Sequence, residues 1–285
     1  DPEPAMRPLL SLLLDDDREI RAQAAKVLGE SGWSQCAPDL VELIFDPEPR
    51  VVYHATMAVG RLQHRDGLDA ITEMLWVNDN EDALLRHAGV MALTWLDDRA
   101  ALLELSRDEF PAVRLAVLLA LRRMHDPAVQ VFLEDPEPRI AAEAARAIND
   151  LPIDEAMPAL VDRIESFRTD SAANGLTPAD RSILWRAINA AFRAGGNDEA
   201  SAIAAVALNP RYDVELRQEA LRALADWMEP PVRDRVNGAH RRVETTTRDT
   251  AGRPPGRRLE KEEHTCTAGV PLPYLSGAGS CGGPL

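Results

Sequence analysis

Aromatic residues make up only 5% of this 285-residue chain, although hydrophobic residues as a whole reach 45%. A core built on small and medium aliphatics suits close helix–helix packing better than a large globular interior or a sandwich. Long apolar runs are missing too: no stretch of about 18 apolar residues appears, so no membrane-spanning helix is expected. Lysine is nearly absent. Of 32 basic residues only Lys26 and Lys261 are lysine, a bias expected of a GC-rich genome and without structural meaning. The first residues, DPEPAMRPLL, contain no initiator Met, no basic n-region and no apolar h-region. The chain therefore reads as a segment cut from something longer, so it cannot report its own export signal.

Chemistry-bearing motifs are scarce as well. Cys36, Cys266 and Cys281 form no Cys-x-x-Cys and no Cys-x-x-Cys-His. Cys36 precedes an apolar helix and is expected to pack as a small hydrophobe. Cys266 and Cys281 could bridge in an oxidising compartment, so the redox setting stays open. None of His54, His64, His87, His125, His240 and His264 falls in a His-Glu-x-x-His or paired His-Glu pattern, which disfavours zinc-protease helices and di-iron sites. His54 and His87 share a helical phase and read as ordinary, partly exposed histidines. No phosphate-cradling glycine loop and no Gly-x-Ser-x-Gly elbow is found. No catalytic residue, metal site or cofactor is expected within this chain.

What the sequence does have is a recurrence. An aspartate stands four residues before an arginine at Asp17/Arg21, Asp46/Arg50, Asp82/Arg86, Asp135/Arg139 and Asp213/Arg217, and Arg114 and Arg186 occupy the same phase without the aspartate. Each copy opens a segment whose apolar residues recur at helical spacing, as Val51, Val52, Ala55, Val59 and Leu62 do. Asp46 reads as an N-cap with Pro47 at the first helical position. Asp135 repeats the device. Thr177-Pro178-Ala179-Asp180 reads as a capping box, and Gly195-Gly196 as its C-terminal stop. An insertion, Arg168 to Asp180, carries a turn at Asn174-Gly175. Trp33, Trp76, Trp95, Trp185 and Trp227 are expected to fill space between helices.

These signals divide the chain into hairpins at 4–32, 33–63, 64–96, 97–127, 128–152, 153–195 and 196–231. The fold expected is all-α, an α-solenoid of about seven helical hairpins over residues 1–237. The pattern resembles the HEAT-repeat superfamily, in which Asp and Arg of successive second helices form a ladder along the stack. The resemblance implies that structural role for the twelve ladder residues just named, and a Gly/Pro/Arg-rich disordered tail follows over residues 238–285. That tail reads as a linker, an interaction tail or, favoured slightly, the product of a shifted reading frame.

A narrower resemblance rests on helix wording such as Val113-Arg-Leu-Ala-Val-Leu-Leu-Ala-Leu-Arg-Arg, Ala142-Ala-Glu-Ala-Ala-Arg-Ala-Ile-Asn-Asp and Trp185-Arg-Ala-Ile-Asn-Ala-Ala-Phe-Arg. It is similar to the HEAT segment of large exported planctomycete-type proteins that join a sugar-dehydrogenase-like propeller to a c-type cytochrome. That resemblance implies a periplasmic or exported location; without it, a cytoplasmic one is expected. Residues 1–231 hold 23 Lys+Arg against 41 Asp+Glu, a net of −18, which argues against nucleic acid as the main partner. The function expected is a non-catalytic scaffold that binds another protein or neighbouring domains of its own polypeptide. The alternative is a repeat spacer of such a redox protein, with active site and haem outside this chain. A lyase-like HEAT protein acting on a chromophore is a third reading for which no residue speaks.

Overall fold

The computed structural model describes residues 3–169, 175–241 and 243, all within one unit that spans residues 1–251. The first hairpin pairs α1 (Glu3–Ser11) with α2 (Arg18–Ser31). The second pairs α3 (Ala37–Glu42) with α4 (Pro49–Arg61), and the third α5 (Leu68–Asn78) with α6 (Ala83–Leu96). The fourth pairs α7 (Arg99–Leu105) with α8 (Pro111–Met124). In the fifth, a 3-10 stretch at Pro127–Glu134 stands in for the first helix before α9 (Pro138–Asp150). The last two pair α10 (Met157–Thr169) with α11 (Pro178–Ala194) and α12 (Asn197–Leu208) with α13 (Val214–Ala225). Residues 170–174 of the expected insertion lie outside the described residues, as do Cys266, Cys281, His264 and the tail from Glu244. Gly175 itself sits at φ 77°, the left-handed region that its place in the expected turn requires.

Each hairpin exposes an apolar face that only the next hairpin covers, so one core runs through the stack. Ala25, Leu28, Ala55, Val59, Leu93, Val117 and Ile148 are all buried in it. Cys36 joins them, and burial pushes its thiol above the ordinary value.

Successive second helices approach closely because small residues meet at their crossings. A Cβ placed on Gly29 would lie 2.4 Å from the Cβ of Ala58, and one on Gly60 would lie 2.5 Å from the Cα of Ala92. No side chain larger than hydrogen fits there without a backbone shift.

Two expected helix starts move. Asp17, Asp82 and Asp213 cap α2, α6 and α13 with their side chains. Asp46 and Asp135 do not cap; α4 and α9 begin at Pro49 and Pro138, with Glu48 and Glu137 as the N-caps. The cause is the second proline of each Asp-Pro-Glu-Pro run. A residue that precedes proline is driven out of the helical region, and Glu48 (φ −99°, ψ 115°) and Glu137 (φ −85°, ψ 110°) are extended accordingly. The helix therefore starts two residues later, and the freed aspartates take another task. At α11 the capping box on Thr177 and Asp180 is present, and Gly195 ends the helix at φ 76°.

Gly60→Ala tests the close approach. Helix propensity alone would stabilise the variant by about 1 kcal/mol, yet overpacking is expected to win and to cost about 1–3 kcal/mol. A thermal midpoint that rises would count against the crossing described here.

Candidate functional site

The expected Asp/Arg pairs do not bond within their own helix starts. Instead the arginine four residues after the N-cap reaches back and across. Arg21 donates from Nη1 to the carbonyl of Asp15 (2.8 Å), and from Nε and Nη2 to both carboxylate oxygens of Asp46 in the next hairpin (2.8 and 3.1 Å). Arg114 does the same with the carbonyl of Asp108 (2.9 Å) and the carboxylate of Asp135 (2.8 and 3.0 Å). Each receiving aspartate is held in place by a backbone N–H two residues on, from Glu48 to Asp46 (2.9 Å) and from Glu137 to Asp135 (2.8 Å). Bidentate geometry of this kind fixes both distance and angle between hairpins. Arg114 and Asp135 are almost fully buried, and their bond holds the Arg114 guanidinium above its ordinary value despite desolvation.

The recurrence in the sequence thus mixed two phases. Arg21, Arg86, Arg114 and Arg217 stand four residues after their N-caps, whereas Arg50 and Arg139 stand only two after theirs. Arg50 makes an exposed pair with Glu19 (3.2 Å). Arg186 turns to the preceding hairpin and grips Asp150 (3.2 Å). Asp213 faces Arg181 of α11 at 3.7 Å, and Arg217 donates to the carbonyl of Ala207 (2.9 Å). Arg114, which lacks an aspartate four residues before it, makes a complete rung all the same.

Arg86, like Arg217, has the rung phase but makes no cross-hairpin rung among the described residues. It reaches the carbonyl of Asn80 (3.3 Å) and otherwise faces a groove of about 600 Å³ between the first half of α6 and the last turn of α8. Arg86, His87, Arg122, Arg123 and His125 line this groove around Val90, Leu119 and Leu151, with no carboxylate among the lining residues. Arg122 is neutralised in part by Glu143 at 2.6 Å; Arg123 and His125 are exposed. Arg86 and Leu119 also line an adjoining cavity of about 770 Å³ edged by Asp79, Glu81, Glu137, Arg139 and Glu143. In a chain of net charge −15, the cationic compartment stands out.

The chain also forms a strap over α9 and α11. After α13 the chain doubles back, with Asp234 N donating to Ala239 O and Arg241 N to Val232 O, both at 2.8 Å. Asp234 is buried and accepts from Asn189 of α11 (2.9 Å) and from the backbone of Val236 and Asn237. Asn189 also donates to Asn149 of α9 (2.9 Å), and Arg241 reaches the carbonyl of Asn149 (3.1 Å). Arg235 bridges Glu219 and Asp226 and lies over the ring of Phe192. The boundary expected between residues 237 and 238 therefore falls inside a hydrogen-bonded turn. Gly238 supplies the left-handed residue that turn needs (φ 70°), so its glycine marks order and not the start of a tail.

The other singled-out residues scatter. His54 lies between α2 and α4 beside Lys26 and Arg61, where burial, then Arg50, pushes its imidazole below the ordinary value. It does not meet His87, and among the described residues no group of His, Cys, Asp and Glu could hold a metal. Trp227 packs edge-on against Phe192 and Trp95 lies under Arg61. Trp76 departs from the filler expectation: it is 43% exposed and leans on Phe110.

Two expectations follow. Asp135→Ala leaves Arg114 buried without its carboxylate and should lower stability by about 3 kcal/mol. Arg139→Ala, at a position outside the rung phase, should stay within about 0.5 kcal/mol; equal losses in urea unfolding would contradict the phase assignment. The strap should also respond to acid. Burial works to raise the Asp234 carboxyl, but Asn189, the backbone N–H groups of Asn237 and Val236, and Arg193 outweigh it and hold the group below its ordinary value. A depressed carboxyl contributes stability above its unfolded value and loses it as pH falls through the lowered one. Hydrogen exchange over residues 232–241, taken relative to the intrinsic rate at each pH, should stay slow at neutral pH and lose its protection only below about pH 4. Asp234→Ala should make it fast at neutral pH.

Residues 6–94 match the family model for HEAT repeats. No curated protein matches the chain. Among solved structures, it is similar to the complex of CpcE and CpcF of phycocyanin lyase from Nostoc sp. PCC7120, with 23% identity, a TM-score of 0.38, and coverage of 78% of this chain and 87% of that one. Human deoxyhypusine hydroxylase shares 18% identity over 78% of this chain and 84% of its own, at a TM-score of 0.35. An engineered protein shares 17% identity over 80% and 69%, at 0.38. No helix among the described residues is long and apolar enough to cross a membrane. With HEAT repeats matched over residues 6–94 and the same packing carried on through α13, the described residues from Glu3 to Ala225 form an α-solenoid of HEAT-like helical hairpins.

Proposed function

We propose that this protein is a scaffold that docks an acidic, partly apolar segment of another protein in the groove between α6 and α8. One observation carries the reading: three arginines, Arg86, Arg122 and Arg123, line the groove beside His87 and His125, with an apolar floor at Leu119 and no carboxylate in the lining. Arginines that are not consumed by rungs remain available for bidentate bonds to carboxylates. Leu119 and Leu151 offer apolar area to side chains between those carboxylates. The strap supports the mode of binding, because it already lays a non-helical segment over α9 and α11 through an aspartate and backbone carbonyls. Its Asn237 reaches the carbonyl of Asp150 (3.5 Å), one residue from Leu151 at the groove's edge.

A body of net −18 repels a long polyanion, whereas a short acidic segment meets only the local wall. The test is fluorescence anisotropy with a labelled peptide of alternating Glu and Leu, a Lys/Leu counterpart and a single-stranded oligonucleotide. Binding is expected for the Glu/Leu peptide alone, weakened about tenfold or more by Arg123→Glu, equivalent to about 1.4 kcal/mol. Preference for the Lys/Leu peptide or the oligonucleotide, or affinity indifferent to Arg123→Glu, would overturn the proposal.

A further inference from the structure

The two ends of the stack carry surfaces that belong to its interior. Three residues after the N-cap, Val51, Val113, Ile140 and Leu216 are each at most 2% exposed, yet Ile20 in the first hairpin is 40% exposed. Ten residues after the N-cap, Ala58, Ala92, Ala120, Ala147 and Ala223 are buried, and Ala58 and Ala92 are the residues that receive the glycine of the preceding hairpin. Val27 holds that place in α2 and is 43% exposed. The opposite end shows the converse. Eight residues after the N-cap, Ala25, Thr56, Val90, Leu118 and Ala145 are buried, while Leu221 of α13 is 56% exposed.

The rungs end the same way. Asp15 has the posture of a receiving aspartate, its carboxylate held by the N–H of Asp17 (2.8 Å) as Asp46 is by that of Glu48, but no arginine grips that carboxylate among the described residues. At the other end Arg217 has the phase of a donating arginine. Its Nε is bonded to Ala207 O, and no carboxylate reaches its two Nη groups among the described residues. The strap does not cover this end, because its anchors lie back on α9, α11 and the Glu219 side of α13.

We propose that copies of this chain associate head to tail. The exposed side of α13 in one copy, with Leu221, meets the exposed side of α2 in the next, with Ile20 and Val27, and Arg217 of the first donates to Asp15 of the second. The contact repeats the interface used inside the stack. Being heterologous, it propagates into open chains and does not close at a dimer.

The experiment is sedimentation velocity of the full chain over a wide concentration range. Wild type is expected to show a weight-average mass that keeps rising with concentration. Asp15→Arg and Arg217→Asp should each lower association about tenfold or more. Their equimolar mixture should restore it, because every junction between the two variants joins opposite charges, in the native order at one junction and exchanged at the next. Leu221→Glu, on an exposed position, should also abolish association, and circular dichroism serves to confirm that each variant is folded. A wild type that stays monomeric throughout, variants that associate like wild type, or a mixture no better than its parts would each overturn the proposal.

Discussion

Everything in this molecule follows from the inability of a two-helix hairpin to bury its own apolar face. Each hairpin borrows burial from the next, so stability resides in the interfaces between units more than in the units. Glycine and alanine at the crossings of second helices let backbones come close enough for that burial to be complete. The rungs from Arg21 to Asp46 and from Arg114 to Asp135 then fix how the second hairpin is rotated on the first and the fifth on the fourth. Dispersion and apolar burial hold the stack together, while a few bidentate bonds choose one register among many that would bury similar area.

Where the rung is missing, the surface changes character. Arg86 finds no carboxylate in the following hairpin, and the space beside it opens between α6 and α8. An arginine that serves as structure at Arg114 is at Arg86 part of a recognisable cationic wall. The same residue type in the same phase thus serves as a rung or as part of a groove wall according to whether it is bonded to the aspartate across from it. Position 108, the one that would receive Arg86, is an aspartate whose carboxylate is bonded to the N–H of Phe110, so composition alone does not account for the missing rung.

The architecture was legible because helical periodicity and caps are local properties. Asp17, Asp82, Asp213 and the capping box at Thr177 each speak for their own helix start, and the hairpin count follows from them. The wiring was less legible. Asp46 and Asp135 look like caps until the second proline is weighed, and a four-residue spacing matched two different phases of helix. The groove depends on how α6 and α8 pass one another, which no local pattern encodes. Arg122, Arg123 and His125 read simply as residues near a helix C-terminus, where cations are favoured anyway. The strap was hidden by composition, since its Arg, Asn and Gly resemble the tail behind it. The repeated Ala-Ile-Asn at Asn149 and Asn189 was the one signal in plain view, and those two buried asparagines prove to be its anchors.

That strap alters how the molecule should assemble. Within the stack, contacts join residues of one hairpin or the next, the local kind of topology associated with rapid folding. Arg241 instead reaches Asn149, a separation of 92 residues, and Asp234 reaches Asn189 across 45. A chain that emerges N-terminus first can complete its early hairpins one at a time, but the last three acquire their full set of bonds only when residue 241 is free to return. The strap thus converts the C-terminal third from a series of separable steps into a single cooperative block, with the earlier hairpins as the platform on which it closes.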